Sequence, residues 1–460
     1  MENAIRDWRG RPYLPGPVPA DRTRMFWLAW ASMAAISPLQ YGYAALLAGH
    51  AAGLTLLAVW IACQAAGALP ALHLVRRGRL SVRACLAAGA TLSGLGLATA
   101  ALTGLTPAAL GDPSSAAPAD PTLAALGASG LVAFVGYALL GGLGAGLVYG
   151  VCGEVVSSWY PERPAARVGL ITGAFGYGAV PLLVWAGIAP GSTSVAFLVA
   201  AALAVAVIAT AARRLRLPPA LWWPDDVDPR SHALNAARLR TTPEAARQFR
   251  LGQALRTRTL PALALILTCA GAVSVFDVIV VAGTGVWGAP ALLVALNGAS
   301  RSLAMRACEQ FGRRRVLAAV LGALALGQVL LAAAMQDGAM AVQAGAVAET
   351  GTTMEAATAI QGANGPLLWL GAVASGVGGG AFYPLLASLV RELFGTERAT
   401  EIHAVVYSAK ALAGVVAVAL ALLALTAPAT ALLTAAVLAA LPALATPRLR
   451  IPGLPVTIPL

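Results

Sequence analysis

Charge is scarce in this chain. Asp, Glu, Lys and Arg make up 11% of its 460 residues, while 59% are hydrophobic and the mean hydropathy is +0.77. Soluble domains carry about 25% charged residues, so an ordinary soluble protein is excluded. Lysine is scarcer still: Lys410 is the only one, beside 30 arginines. Cysteine and histidine are few and scattered. Cys63, Cys85, Cys152, Cys269 and Cys308 form no CxxC, and His50, His73, His232 and His403 do not cluster. That argues against a metal site and leaves the cysteines as small packing residues. No nucleophile–base pair stands out, so no enzyme is expected. The glycine-rich stretches follow no strand and precede no Walker lysine, which removes a nucleotide cofactor. The arginines form no aromatic-interleaved patch, which removes a nucleic-acid partner.

Long apolar runs are abundant instead. Twelve stretches have the roughly 20-residue length that a spanning helix needs: about 25–47, 54–75, 82–103, 124–157, 167–189, 193–212, 259–283, 287–309, 316–335, 365–392, 402–424 and 427–446. The first lacks a small-residue cleavage site and reads as a retained helix, not a signal peptide. With the N-terminus in the cytoplasm, 29 of the 31 basic residues fall on the cytoplasmic side. The opposite loops hold only acids: Asp112, Asp120, Asp337, Glu349 and Glu355. So one-sided a distribution predicts a multi-pass protein with both termini cytoplasmic. The scarcity of lysine beside abundant Ala, Arg, Gly and Pro suggests a GC-rich bacterial genome, hence a bacterial inner membrane and a lipid-bilayer partner.

The chain divides into a six-helix half (1–212), a basic cytoplasmic linker (213–258) and a second half (259–460). The linker holds ten arginines and is expected to lie on the anionic inner leaflet. An internal repeat supports the division. The run Gly142–Tyr149 parallels Gly376–Tyr383, and Trp159-Tyr160-Pro161-Glu162-Arg163 parallels Phe394-Gly395-Thr396-Glu397-Arg398. Two polar-loop stretches, 104–123 and 336–364, follow the third helix of each half and are expected to be mobile. The fold class is therefore an all-α membrane protein of twelve transmembrane helices in two pseudo-symmetric six-helix halves, the major facilitator architecture with its ligand near the midplane.

Two cations depart from the end-of-helix rule. Arg301 and Lys410 lie inside apolar segments, roughly 12–21 Å deep at 1.5 Å per residue. An ionisable residue there is a functional-site hypothesis by default. On the repeat, Lys410 matches Phe175 and Arg301 matches the neighbourhood of Ala65, so the charge is confined to one half. At similar depth sit Gln40 and Tyr41, the Trp60–Gln64 pair one turn apart, and Tyr407 one turn before Lys410. The acid supply is thin. Asp277 is well inside the seventh segment, with Glu154 and Glu309 near the cytoplasmic face, and one Asp cannot neutralise two cations. Arginine offers a planar fork to a carboxylate and lysine a point charge, which favours an anion site.

The glycine-rich fourth segment running into Trp159-Tyr160-Pro161-Glu162-Arg163, the Asn297-Gly298-x-x-Arg301 stretch and Tyr407-Ser408-Ala409-Lys410-Ala411 resemble the oxalate/formate antiporter family of the major facilitators. The resemblance implies Arg301 and Lys410 as a carboxylate-binding pair. It also implies a cavity wall of Gln40, Tyr41, Trp60, Gln64, Tyr149, Phe175, Tyr383 and Tyr407. The chain departs from the superfamily in the loop Leu74-Val75-Arg76-Arg77-Gly78-Arg79, where the usual Asp before the Gly-Arg pair is missing. Phe175 lacks a hydroxyl, and Asp277 is an acid the resemblance does not supply. The expected function is secondary transport of small mono- or dicarboxylates by exchange through alternating access, in a monomer. One alternative is a proton-coupled monocarboxylate symporter using Asp277. An alternative of another class is a non-transporting membrane sensor, with the linker as its output.

Overall fold

The computed structural model describes residues 4–7, 10–46, 51–75, 77–102, 127–235, 245, 247–348 and 365–453. It is almost entirely helical. In the first half α1 runs Arg22–Ala35 and continues through a π-turn (Pro38–Gly42) into Tyr43–Leu46. Then come α2 (Ala51–Pro70, extended by Ala71–Val75), α3 (Val82–Leu102) and α4 (Gly127–Ala133, Phe134–Gly141, Gly142–Trp159). α5 (Pro164–Tyr177, Val180–Ile188) and α6 (Thr193–Arg214) complete it. The second half comprises α7 (Thr259–Gly283), α8 (Gly288–Phe311), α9 (Arg313–Ala348) and α10 (Gly365–Phe394). It ends with α11 (Ala399–Ser408, Lys410–Thr426) and α12 (Pro428–Ala445).

Among the described residues, ten helical stretches are long and apolar enough to cross a membrane. α1 and α8 fall short by that measure, yet both pack in the bundle. The reasons differ: α1 is a 14-residue helix cut short before Pro38, and α8 carries Arg301, Arg306 and Glu309.

The halves meet along two seams, α5 against α8 and α2 against α11. At the first seam Gly298 of α8 lies against the Gly173 carbonyl and Tyr177, so a side chain there would collide with α5. Glycine at this position lets two helices from opposite halves approach closely.

Two features differ from the sequence expectations. α9 continues to Ala348, so residues 336–348 of the expected loop are helical. The expected loop 104–123, and the rest of the other from 349, lie outside the described residues. The second feature is a small sheet in a chain expected to be all-helical. β1 (Ile5–Arg6) pairs antiparallel with β2 (Pro12–Gly16), and β2 pairs parallel with β3 (Trp222–Pro224) of the linker. The linker is therefore a docked element. Trp159 donates to the Arg216 carbonyl at 2.7 Å and packs edge-on against Trp222, while the Phe249 amide donates to the Phe394 carbonyl at 3.0 Å. Its first part holds the first half, and its last part the second.

Candidate functional site

Arg301 and Lys410 are 1% and 2% exposed, and both come from the second half. Their hydrogen-bond partners come largely from the first. Arg301 Nη1 donates to the Thr172 carbonyl at 2.8 Å, and Nη2 to Tyr41 Oη at 3.1 Å and Asn297 Oδ1 at 3.0 Å. Lys410 Nζ donates to Gln40 Oε1 at 2.9 Å and to Gln64 Oε1. No carboxylate pairs with either cation among the described residues. Every acceptor they use is neutral.

Local structure explains how these groups converge. Proline has no amide hydrogen, so Pro38 opens the helical ladder of α1 and the widened π-turn follows. Neighbouring residues then serve different cations: Gln40 reaches Lys410, and Tyr41 reaches Arg301. On α8, Asn297 and Arg301 are four residues apart and share a face. Gly380 of α10 packs against the Asn297 backbone, where any side chain would displace α8. Just before Lys410, α11 tightens into an i→i−3 turn in which the Ala409 amide bonds the Val406 carbonyl at 3.2 Å.

Aromatic rings enclose the charges. Arg301 lies 5.8 Å from the Phe175 ring centroid and 5.2 Å from that of Tyr383, and Lys410 lies 5.4 and 5.6 Å from the same two. Toward the linker, Tyr149 and Tyr407 stack across the halves at 5.3 Å and form a floor. Beneath it a chamber of about 80 Å³ is lined by Tyr149, Thr172, Tyr383, His403 and Tyr407. That chamber shares Glu154, Ser157 and Arg391 with a vestibule of about 1150 Å³, walled partly by Tyr13 and Trp222 of the sheet. One turn from Gln40 and Gln64 on the opposite side, Tyr43 and Tyr137 stack at 3.6 Å, with Trp60 6.3 Å from Tyr137. The cations are thus closed off by aromatics above and below.

Comparison of the whole fold gives a consistent answer. The xylose transporter XylE from E. coli, in an inward-open conformation, aligns over 93% of this chain and 95% of its own at TM-score 0.59 and 13% identity. The nucleoside transporter NupG aligns over 94% and 99% at 0.54 and 12%. The human organic anion transporter MFSD10 aligns over 93% and 100% at 0.52 and 14%. The fold is that of the major facilitator superfamily. No family model and no curated protein matches the chain by sequence.

Within this major facilitator fold the expected site residues mostly converge. Gln40, Tyr41, Gln64, Phe175, Tyr383 and Tyr407 each approach one or both cations, and Tyr149 reaches them through Phe175 and Tyr407. Trp60 stands one turn away, in the Tyr43–Tyr137 stack. Asp277 makes no bond to the pair. It is fully buried between α7, α9 and α10, with Gln328 and Ser375.

Three contributors escaped the sequence reading. Asn297 was legible from its i, i+4 spacing to Arg301. Tyr43 follows Gln40 by three residues, a spacing that marks a shared face. The Thr172 carbonyl is backbone, and no side-chain pattern announces it. The missing loop acid also has a structural answer: Arg77 of that loop pairs with Glu401 of α11 at 2.7 Å, across the halves.

Proposed function

We propose that the protein is a secondary transporter of small carboxylate anions, working by exchange, with Arg301 and Lys410 as the anion-binding pair. The observation that carries this reading is a pair of fully buried cations bonded only to neutral acceptors. Beside them, buried donors have no partner: Arg301 Nε, Gln64 Nε2, Trp60 Nε1 and the hydroxyls of Tyr407 and Tyr43. Burying charge without a counter-charge is costly. Unused N–H and O–H groups at one place fit an anion, which brings both the charge and the acceptors.

The fold does not choose the substrate, since its likenesses include carriers of a sugar, nucleosides and an organic anion. The two buried positive charges support an anion. An arriving carboxylate competes for donors that otherwise join the halves, because Lys410 binds Gln40 and Gln64 while Arg301 binds Tyr41 and Thr172. Substrate would thereby loosen the bonds that hold one conformation and supply the charge that the closing site needs. The halves correspond to 1–212 and 259–460. The linker side is read as cytoplasmic, the membrane as a bacterial inner membrane, and the working unit as a monomer.

A thermal-shift screen of purified protein against formate, oxalate, lactate, pyruvate, malonate and succinate is the direct test. At least one should stabilise it, and vesicles preloaded with that anion should take up the labelled form by counterflow. Neutral sugars or nucleosides stabilising the protein while no carboxylate does so would sink the proposal.

A further inference from the structure

One buried ionisable group takes no part in the anion site. Asp277, Gln328 and Ser375 are each 0% exposed and come from α7, α9 and α10. Gln328 Nε2 donates both to Asp277 Oδ1 and to Ser375 Oγ, the latter at 3.1 Å. Two acceptor atoms of this cluster have no partner: Asp277 Oδ2 and Gln328 Oε1. Neither the chamber nor the vestibule is lined by Asp277.

Among the described residues, no cation faces it from the packed helices. Arg301 of α8 is engaged by Thr172, Tyr41 and Asn297, and Lys410 of α11 by Gln40 and Gln64. α9 and α10 present Gln328 and Ser375, α12 contains no ionisable residue, and the Tyr43–Leu46 turn of α1 offers only the Tyr43 phenol. An ionised carboxylate in such surroundings exchanges its hydration for the Gln328 hydrogen bond and gains no counter-charge. The cluster is short of one positive charge and one hydrogen-bond donor.

We propose that Asp277, Gln328 and Ser375 form a proton-binding site, separate from the anion site, whose proton is carried through the transport cycle. A single proton on Asp277 Oδ2 meets both deficits. It neutralises the carboxyl, and the new O–H can donate to Gln328 Oε1 while Gln328 Nε2 keeps its bond to Oδ1, closing a two-bond acid–amide pair. The arithmetic of donors favours a proton over sodium: only two oxygens lack partners, and a metal ion needs several oxygen ligands at once.

The site is placed to sense the anion pair. One helical turn from Asp277, Ser274 Oγ donates to the Gly379 carbonyl at 2.7 Å and accepts from Asn297 Nδ2 at 3.2 Å. Asn297 Oδ1 in turn accepts from Arg301 and from Tyr41 at 3.3 Å. Hydrogen bonds therefore run from Arg301 to the α7–α10 contact that encloses Asp277. The proton joins the cycle where a shift of Arg301 opens that contact and exposes the carboxyl to water.

The first test needs no transported anion. Infrared difference spectra of the full-length protein, wild type minus Asp277→Asn at neutral pH, should contain the C=O stretch of a protonated carboxylic acid. Loss of carboxylate bands alone would show an ionised Asp277 and overturn the proposal. If Asp277→Asn does not fold, Gln328→Leu must shift the same band; an unmoved spectrum counts equally against the site.

The second test uses labelled oxalate, a dianion that does not cross lipid as the free acid, in proteoliposomes held at zero membrane potential. An inside-alkaline gradient of one pH unit should raise oxalate accumulation about tenfold for one proton per anion. Asp277→Asn should abolish that response and keep gradient-free counterflow. An identical pH response in the variant overturns the coupling, as does stimulation by sodium at constant pH that Asp277→Asn removes. Absence of counterflow for every carboxylate would instead fault the anion site, leaving the infrared result to judge Asp277.

Discussion

Lys410 bonds to two glutamine carbonyls and stands near three aromatic rings, so its charge can be tested apart from its shape. Lys410→Ala and Arg301→Ala should each abolish carboxylate uptake while the protein still elutes as a folded species by size exclusion. Lys410→Arg should not restore uptake, because a planar fork cannot take the place of a compact ammonium between Gln40 and Gln64. Transport at wild-type rates in either alanine variant would remove the assignment. Tyr407 offers a finer probe through its unpartnered hydroxyl. A hydrogen bond to a charged group is worth about 1.5–3 kcal/mol. Tyr407→Phe should therefore weaken anion binding by about ten- to a hundredfold by that measure, read by titration of the thermal shift. These side chains were legible as candidates because their types are rare in apolar helices. Their partners were not: that Gln40 serves Lys410 while Tyr41 serves Arg301 depends on the π-turn after Pro38.

At the scale of elements, the loop between α2 and α3 and the start of α11 form a contact between the halves. Arg77 pairs with Glu401, which also takes Arg398 Nη1 at 3.2 Å. The Arg77 side chain is 40% exposed, so the pair contributes only about 0–1 kcal/mol. That is enough to shift a balanced conformational equilibrium by a few-fold without unfolding anything. Glu401→Arg should raise thiol labelling of a Ser157→Cys reporter in the vestibule, on a background without native cysteines, and Arg77→Glu added to it should reverse the change. Equal labelling in all three would show that the pair does not hold the halves together.

The linker carries its own small switch. Asp228 caps the short helix Pro229–Leu234 by accepting from the amides of Arg230 and Ser231. Those backbone donors hold its carboxyl below the usual carboxylate range. A depressed pKa means the cap is fully present above the ordinary range and is lost as pH falls through the lowered value. The protection factor of the Ser231 amide, its exchange relative to the intrinsic rate at each pH, should fall in acid in the wild type and be low at all pH in Asp228→Ala. The sheet that pins this linker left no trace in hydropathy, since β1 and β2 are short, β2 bears two prolines, and β2 pairs with β3 over 200 positions away.

For the whole molecule, both cations must be satisfied whenever aromatic closure excludes water. Neutral acceptors from the opposite half do this in part, and a carboxylate would do it better. Exchange should therefore outrun net efflux. Vesicles loaded with labelled anion should release it faster with external anion than without it; equal rates would favour a uniporter. The seams along α5–α8 and α2–α11 contain Thr172 and Gln64, which bond to Arg301 and Lys410, so binding and reorientation share one interface.

The sequence by itself determined the membrane-spanning helices, the doubling of the fold and the two misplaced cations. Each follows from composition and spacing, and the cost of charge at bilayer depth marks such residues whatever surrounds them. Tertiary structure decided what those cations meet. Asp277, a natural counter-ion by sequence, packs against Gln328 and Ser375 instead, because α7 turns that face toward α9 and α10. Helical periodicity says which residues share a face. Only the packing of α7 and α8 against their neighbours says what each face confronts, and so gives Arg301 to Tyr41 and leaves Asp277 without a cation.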